Sequence, residues 1–306
     1  MVWQYHPQEI IWRPRGPSGA ARKLAARLQQ ERPTAWVGHG AAFGATLLAP
    51  NEPATLTCTG HETRWIRTGH PDLALQRALL RDFDLAVVEG FVDSTAPWVV
   101  ELDENGLGLE EIPFEDRSRV VALVGEVTPV ADIPPGGIAR FQSSELDDLA
   151  DHLLDTLETA GRRRPLVGLV LVTPDSPPDQ IQAARATLET RCGLVLAPDS
   201  PELALRHPQW HQAGLLLSVM ELHPEAAIST LEPTAEAITR FERLMDARDP
   251  LAEATAYRAR DSHMPSPSCA VWEPRARGRL LSMLSVDIAC LRRTLVASGT
   301  RLLDGI

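Results

Sequence analysis

EIIWRPRGPSGAARKLAARL, Glu9 to Leu28, decides the architecture. Its apolar opening, Glu9–Arg13, reads as a strand. A Pro- and Gly-rich turn follows, and then a helix from about Ala20 to Gln30, where Leu24 and Leu28 place apolar side chains one turn apart. Strand, tight turn and helix in this order open an α/β fold. The turn also carries the frame of a phosphate-binding loop, G-x-x-x-x-G-K-[ST]. Gly16 is the first glycine, but Ala21 stands for the second, Arg22 for the lysine and Lys23 for the hydroxyl residue.

A working loop turns successive backbone N–H groups inward. Its lysine meets the β- and γ-phosphates, and its hydroxyl binds Mg²⁺. Gly16, Ser18 and Gly19 can still supply part of the curl. Ala21 fits only if its φ is negative. Arg22 keeps a charge without the compact ammonium. Lys23, the only lysine of the chain, offers no hydroxyl and projects about 100° from the expected direction. Each lost charge-assisted contact costs about 1.5–3 kcal/mol, so two together lower affinity by roughly two to four powers of ten. The frame therefore reads as a remnant.

Similar alternation continues downstream. Thr34–Gly38 reads as a strand, Pro71–Leu80 as a helix, and Asp84–Phe91 (DLAVVEGF) as a strand buried on both faces of a parallel sheet. PWVVEL and RVVALVG add strands. Ser143–Glu158 is an amphipathic helix that Ser143 or Ser144 can cap. GRRRP (Gly161–Pro165) reads as a linker, giving two domains, 1–160 and 161–306. Beyond it LVGLVLVTP, a helix at about Pro178–Thr190, GLVLAP, helices at Gly214–Leu222 and Pro233–Asp246, strands ATAYR and SCAVWEP, and closing helices at Arg275–Leu284 and about Leu291–Ala297 form a second α/β run. The expected fold class is α/β: two three-layer domains, a P-loop-NTPase-like parallel or mixed sheet followed by a truncated Rossmann-like nucleotidyltransferase sheet.

Bulk composition bounds the function. A chain of 306 residues, 44% hydrophobic and with a net charge of −11, suits a soluble globular protein and not a nucleic-acid-binding surface, which needs clustered cations. No apolar run reaches the roughly 18 residues of a membrane span. Four scattered cysteines, and no signal layout in MVWQYHPQEI, point to buried, reduced thiols in a cytoplasm.

Two families share these patterns. IIWRPRGPSGAARKLAARL, FDLAVVEGF and ARFQSSELDDLADHLLDTL resemble the molybdopterin-guanine dinucleotide accessory (MobB) family over about residues 8–160. DPLAEATAYRARDSHMPSPSCAVWEPRARGRLLSML (Asp249–Leu284), with GLLLSVMELHPEAAISTLEP upstream, resembles the molybdenum cofactor guanylyltransferase (MobA) family. The resemblance implies a cofactor site at Gly16, Ser18, Gly19, Arg22, Lys23 and Glu89. It also implies a ligand such as molybdopterin or its guanine dinucleotide. Molybdenum enzymes or a genuine guanylyltransferase become the implied partners, with a homodimer as assembly. The sequence departs from both families where phosphate and metal are held. Val92 stands where the first family has a lysine after VEGF. LVLVTPDSPPDQIQAARATL replaces the second family's glycine-rich loop, and Leu231 or Glu232 replaces its Mg²⁺ aspartate. GTP and Mg²⁺ are therefore not expected ligands, and no catalytic or metal residue is assigned.

The expected role is non-catalytic. Its rivals are an active guanylyltransferase or GTPase with rearranged ligands (Lys23, Glu89, Asp199, Glu232) and a structural dimerisation subunit. Two further constellations read as ordinary structure: His207 and His211 in HPQWH, and His61, Arg64, Arg67 and His70 in TGHETRWIRTGH. Trp36, Trp65, Trp98, Trp210 and Trp272 read as core or interface anchors.

Overall fold

The computed structural model describes residues 8–13, 19–37, 55–58, 63–66, 83–89, 96–102, 114–125, 138–203, 207, 210–259 and 263–304. Gly16, Ser18, His61, Arg67, His70 and the helix expected at Pro71–Leu80 lie outside these residues. The chain divides into two compact units, Pro7–Leu153 and Leu154–Ile306.

In the first unit, β1 (Gln8–Arg13), β2 (Thr34–Val37), β5 (Leu85–Glu89), β6 (Trp98–Glu101), β7 (Val120–Val124) and β8 (Ala139–Phe141) form one sheet in the order β2-β5-β1-β6-β7-β8. Every pairing is parallel. Burial of Leu85–Val88 in β5 explains its unbroken apolar run, because a central parallel strand is covered on both faces. Strands β3 (Thr55–Cys58) and β4 (Thr63–Ile66) pair separately as an antiparallel hairpin.

Helix α1 (Ala20–Leu28) buries Ala20, Ala21, Leu24, Ala25 and Leu28. Helix α2 is Leu146–Arg162. Arg27 of α1 donates from Nε to Asp147 of α2 (2.6 Å) and from Nη2 to Asp151 (3.2 Å). The other sheet face holds a separate cluster of Ile11, Ala86, Val88, Trp98, Val100, Val120 and Leu123, to which neither helix contributes.

The second sheet has the order β10-β9-β11-β13-β12-β14. Its strands are β9 (Leu166–Val170), β10 (Leu194–Leu196), β11 (Ala227–Leu231), β12 (Ala254–Arg258), β13 (Pro265–Trp272) and β14 (Thr300–Leu303). Only β13 runs antiparallel to its neighbours. Successive residues alternate between faces. Val167, Leu169, Ile228, Ala270 and Trp272 pack with α4 (His211–Leu222), α6 (Ala276–Leu284) and α7 (Leu291–Ala297). Val170, Ala227, Leu231, Cys269 and Val271 pack with α3 (Pro178–Glu189) and α5 (Ala235–Asp246). The result is three layers, helices–sheet–helices.

Several expectations change. Helix α2 starts at Leu146, not at a serine cap; the preceding turn is closed by the Glu145 carboxylate, which accepts the Gln142 N–H at 2.7 Å. GRRRP is no linker: α2 runs through Arg162, and Gly161 lies so close to Pro250 that a Cβ there would meet the proline Cβ at 2.5 Å. Helix α4 begins at His211, three residues before the expected Gly214. Edge strand β14 was not foreseen, because four residues outside a longer apolar pattern carry little strand signal. Cys192 and Cys269 are buried as expected, but Cys290 is exposed.

Candidate functional site

Ligands in open α/β sheets settle beyond the carboxyl ends of strands, where neighbouring connections diverge. In the first unit β1 leads through α1 to β2 on one side, while β6 leads to β7 and β8 on the other. That point is framed by Arg13 at the end of β1 and Glu101 at the end of β6. Glu89 ends β5, and Trp12 is its register partner in β1. The Trp12 indole donates to Glu101 Oε2 at 3.3 Å. Glu89 was legible as a carboxylate ending a buried strand. Glu101 ends WVVE in the same way, but the sequence reading passed it over.

The loop frame enters α1 through Gly19, whose φ of 65° and ψ of 8° are left-handed. Nothing lies within 4 Å of a Cβ built there, so glycine answers a backbone requirement and not a lack of space. Ala21 is helical and buried, which meets the negative-φ condition. No side chain caps the helix, and its first turn holds no acidic residue. Arg22 is exposed, and its guanidinium lies 5.8 Å from the Trp36 ring centroid on β2. Lys23 is exposed too. The fold thus places Gly19, Arg22 and Lys23 together on the first turn and Glu89 at the same end of the sheet, with Arg22 against an indole.

In the second unit the diverging strands are β9, which leads through α3 to β10, and β11, which leads through α5 to β12. After β9 the Thr173 N–H donates to Ser176 Oγ at 2.9 Å, and the Ser176 N–H to the Thr173 carbonyl at 3.0 Å. Pro177 then caps α3 and Pro178 begins it. Two backbone donors are spent within the turn and three are missing at Pro174, Pro177 and Pro178, so the turn does not resemble a phosphate cradle. The turn after β10 repeats the device: the Ala197 N–H donates to Ser200 Oγ at 2.9 Å and the Ser200 N–H to the Ala197 carbonyl at 2.8 Å. Both turns carry the tetrapeptide PDSP, at 174–177 and 198–201, a repeat visible in the sequence but not read from it.

Glu232 follows β11 and is half-buried. Burial raises its carboxyl pKa, and the Arg292 guanidinium offsets only part of that. Asp199 is exposed and lies 3.5 Å from Arg185. Leu231 is buried in the core. His207 and His211 do not share a helical face: His207 precedes α4, stacks on Trp210 and hydrogen-bonds Glu221 Oε2 through Nε2 at 3.2 Å. Gln212–Gly214 lies inside α4, where a Cβ on Gly214 would overlap the His207 carbonyl. Among the described residues no group of three or more His, Cys, Asp or Glu could hold a metal ion. No described helix is long and apolar enough to cross a membrane.

No family model matches the chain, and no curated protein does. Among solved structures, one titled "Crystal Structure of molybdopterin-guanine biosynthesis protein B (mobB)" is similar over 49% of this chain and 99% of its own, at 20% identity and a TM-score of 0.32. At those values the likeness carries neither ligand nor activity across.

The Asp249–Leu284 tail builds a polar core. Glu273 accepts from Arg248 Nε (2.7 Å) and Nη2 (3.0 Å) and from Arg164 Nη1 (3.2 Å). Arg248 Nη2 also reaches the Gly161 carbonyl at 3.1 Å. Glu253 meets Arg279 at 3.1 Å, and the Asp249 N–H donates to Thr255 Oγ1 at 3.0 Å. Glu253 and Glu273 lie beside the starts of the parallel strands, the opposite end from Glu232. Trp272 Nε1 donates to buried Thr230 Oγ1 at 3.0 Å.

Proposed function

We propose that this chain is a non-catalytic accessory protein of molybdenum or tungsten cofactor biosynthesis or insertion, binding the pterin cofactor or a partner enzyme. The observation that carries the non-catalytic part is the turn Thr173–Pro178, where the Thr173 and Ser176 N–H groups are spent within the turn and three prolines have none, at the place where a nucleotidyltransferase would hold phosphate. The first turn of α1, with Ala20 and Ala21 buried and Arg22 drawn to Trp36, points the same way. The cofactor class rests on the residue resemblances over about 8–160 and Asp249–Leu284. Molybdenum enzymes or a genuine guanylyltransferase are the partners this reading names, and a homodimer is its assembly.

Calorimetry with GTP and Mg²⁺, beside a search for fluorescent oxidised pterin co-purifying with the protein, tests the reading. A pterin or a pterin-enzyme partner without GTP affinity supports it. Micromolar GTP binding with Mg²⁺-dependent nucleotidyl transfer overturns it.

A further inference from the structure

We draw no further inference here: the strongest candidate, the half-buried Glu232 carboxylate with the Arg292 guanidinium near it beyond the carboxyl end of β11, belongs to the site already described, and nothing among the described residues shows what it would hold.

Discussion

Replacing Glu273 by Gln tests whether the tail of the second unit is a folding device. Glu273 is 1% exposed and its main partner Arg248 is 3% exposed. The carboxylate receives two hydrogen bonds from Arg248 and one from Arg164. Gln keeps the shape but removes the charge and one acceptor, leaving a guanidinium in the core uncompensated. Breaking a buried pair from one side costs about 3–5 kcal/mol. For a unit of this size that lowers the melting temperature by about 6–20 °C. Urea unfolding followed by circular dichroism and scanning calorimetry measure the loss. The paired change Arg248→Met with Glu273→Leu removes both charges and is expected to recover most of it, because two apolar groups need no counter-charge. A Glu273→Gln protein within about 1 kcal/mol of wild type, or a double variant worse than either single one, would refute the reasoning.

Gly214→Ala is expected to destabilise by about 1–3 kcal/mol in the same assays, although alanine ordinarily improves a helix, because the added methyl collides with the His207 carbonyl. Folding raises the pKa of Glu232, so the native state holds that proton more tightly than the unfolded chain does. Stability then falls as pH rises from the ordinary carboxylate value, about 4.3, through the raised folded value. Glu232→Gln is expected to gain on wild type across that window, and parallel pH–stability curves contradict it. Burial pushes the thiols of Cys192 and Cys269 up to about 12, while Cys290 is exposed. A thiol reagent at about pH 8 is expected to label Cys290 well before Cys192 or Cys269, as read by peptide mass mapping.

The strand–turn–helix of Glu9–Leu28 and the apolar run of Leu85–Val88 were legible because burial on both faces, or on one helical stripe, writes itself into local periodicity. The helix limits were less so. The start of α2 depends on which side chain closes the preceding turn, and Glu145 does so rather than Ser143 or Ser144. The candidate site was legible only where a residue type sits at a strand end, as Glu89 does. The approach of the Arg13 guanidinium to the Trp98 ring gave no such signal: the two are separated by many residues and meet only through the β1–β6 register.

By itself the sequence determined two α/β runs, a phosphate-loop frame without its lysine and hydroxyl, and a second half without a glycine-rich loop. Those follow from local composition and period. Only the tertiary structure decided that each PDSP turn meets two backbone donors within itself, and that the tail's carboxylates neutralise the buried Arg248 and the largely buried Arg279. Hydrogen-bond satisfaction depends on which groups the fold brings within 3 Å or so, and residues distant in the chain hold no record of that in their local pattern.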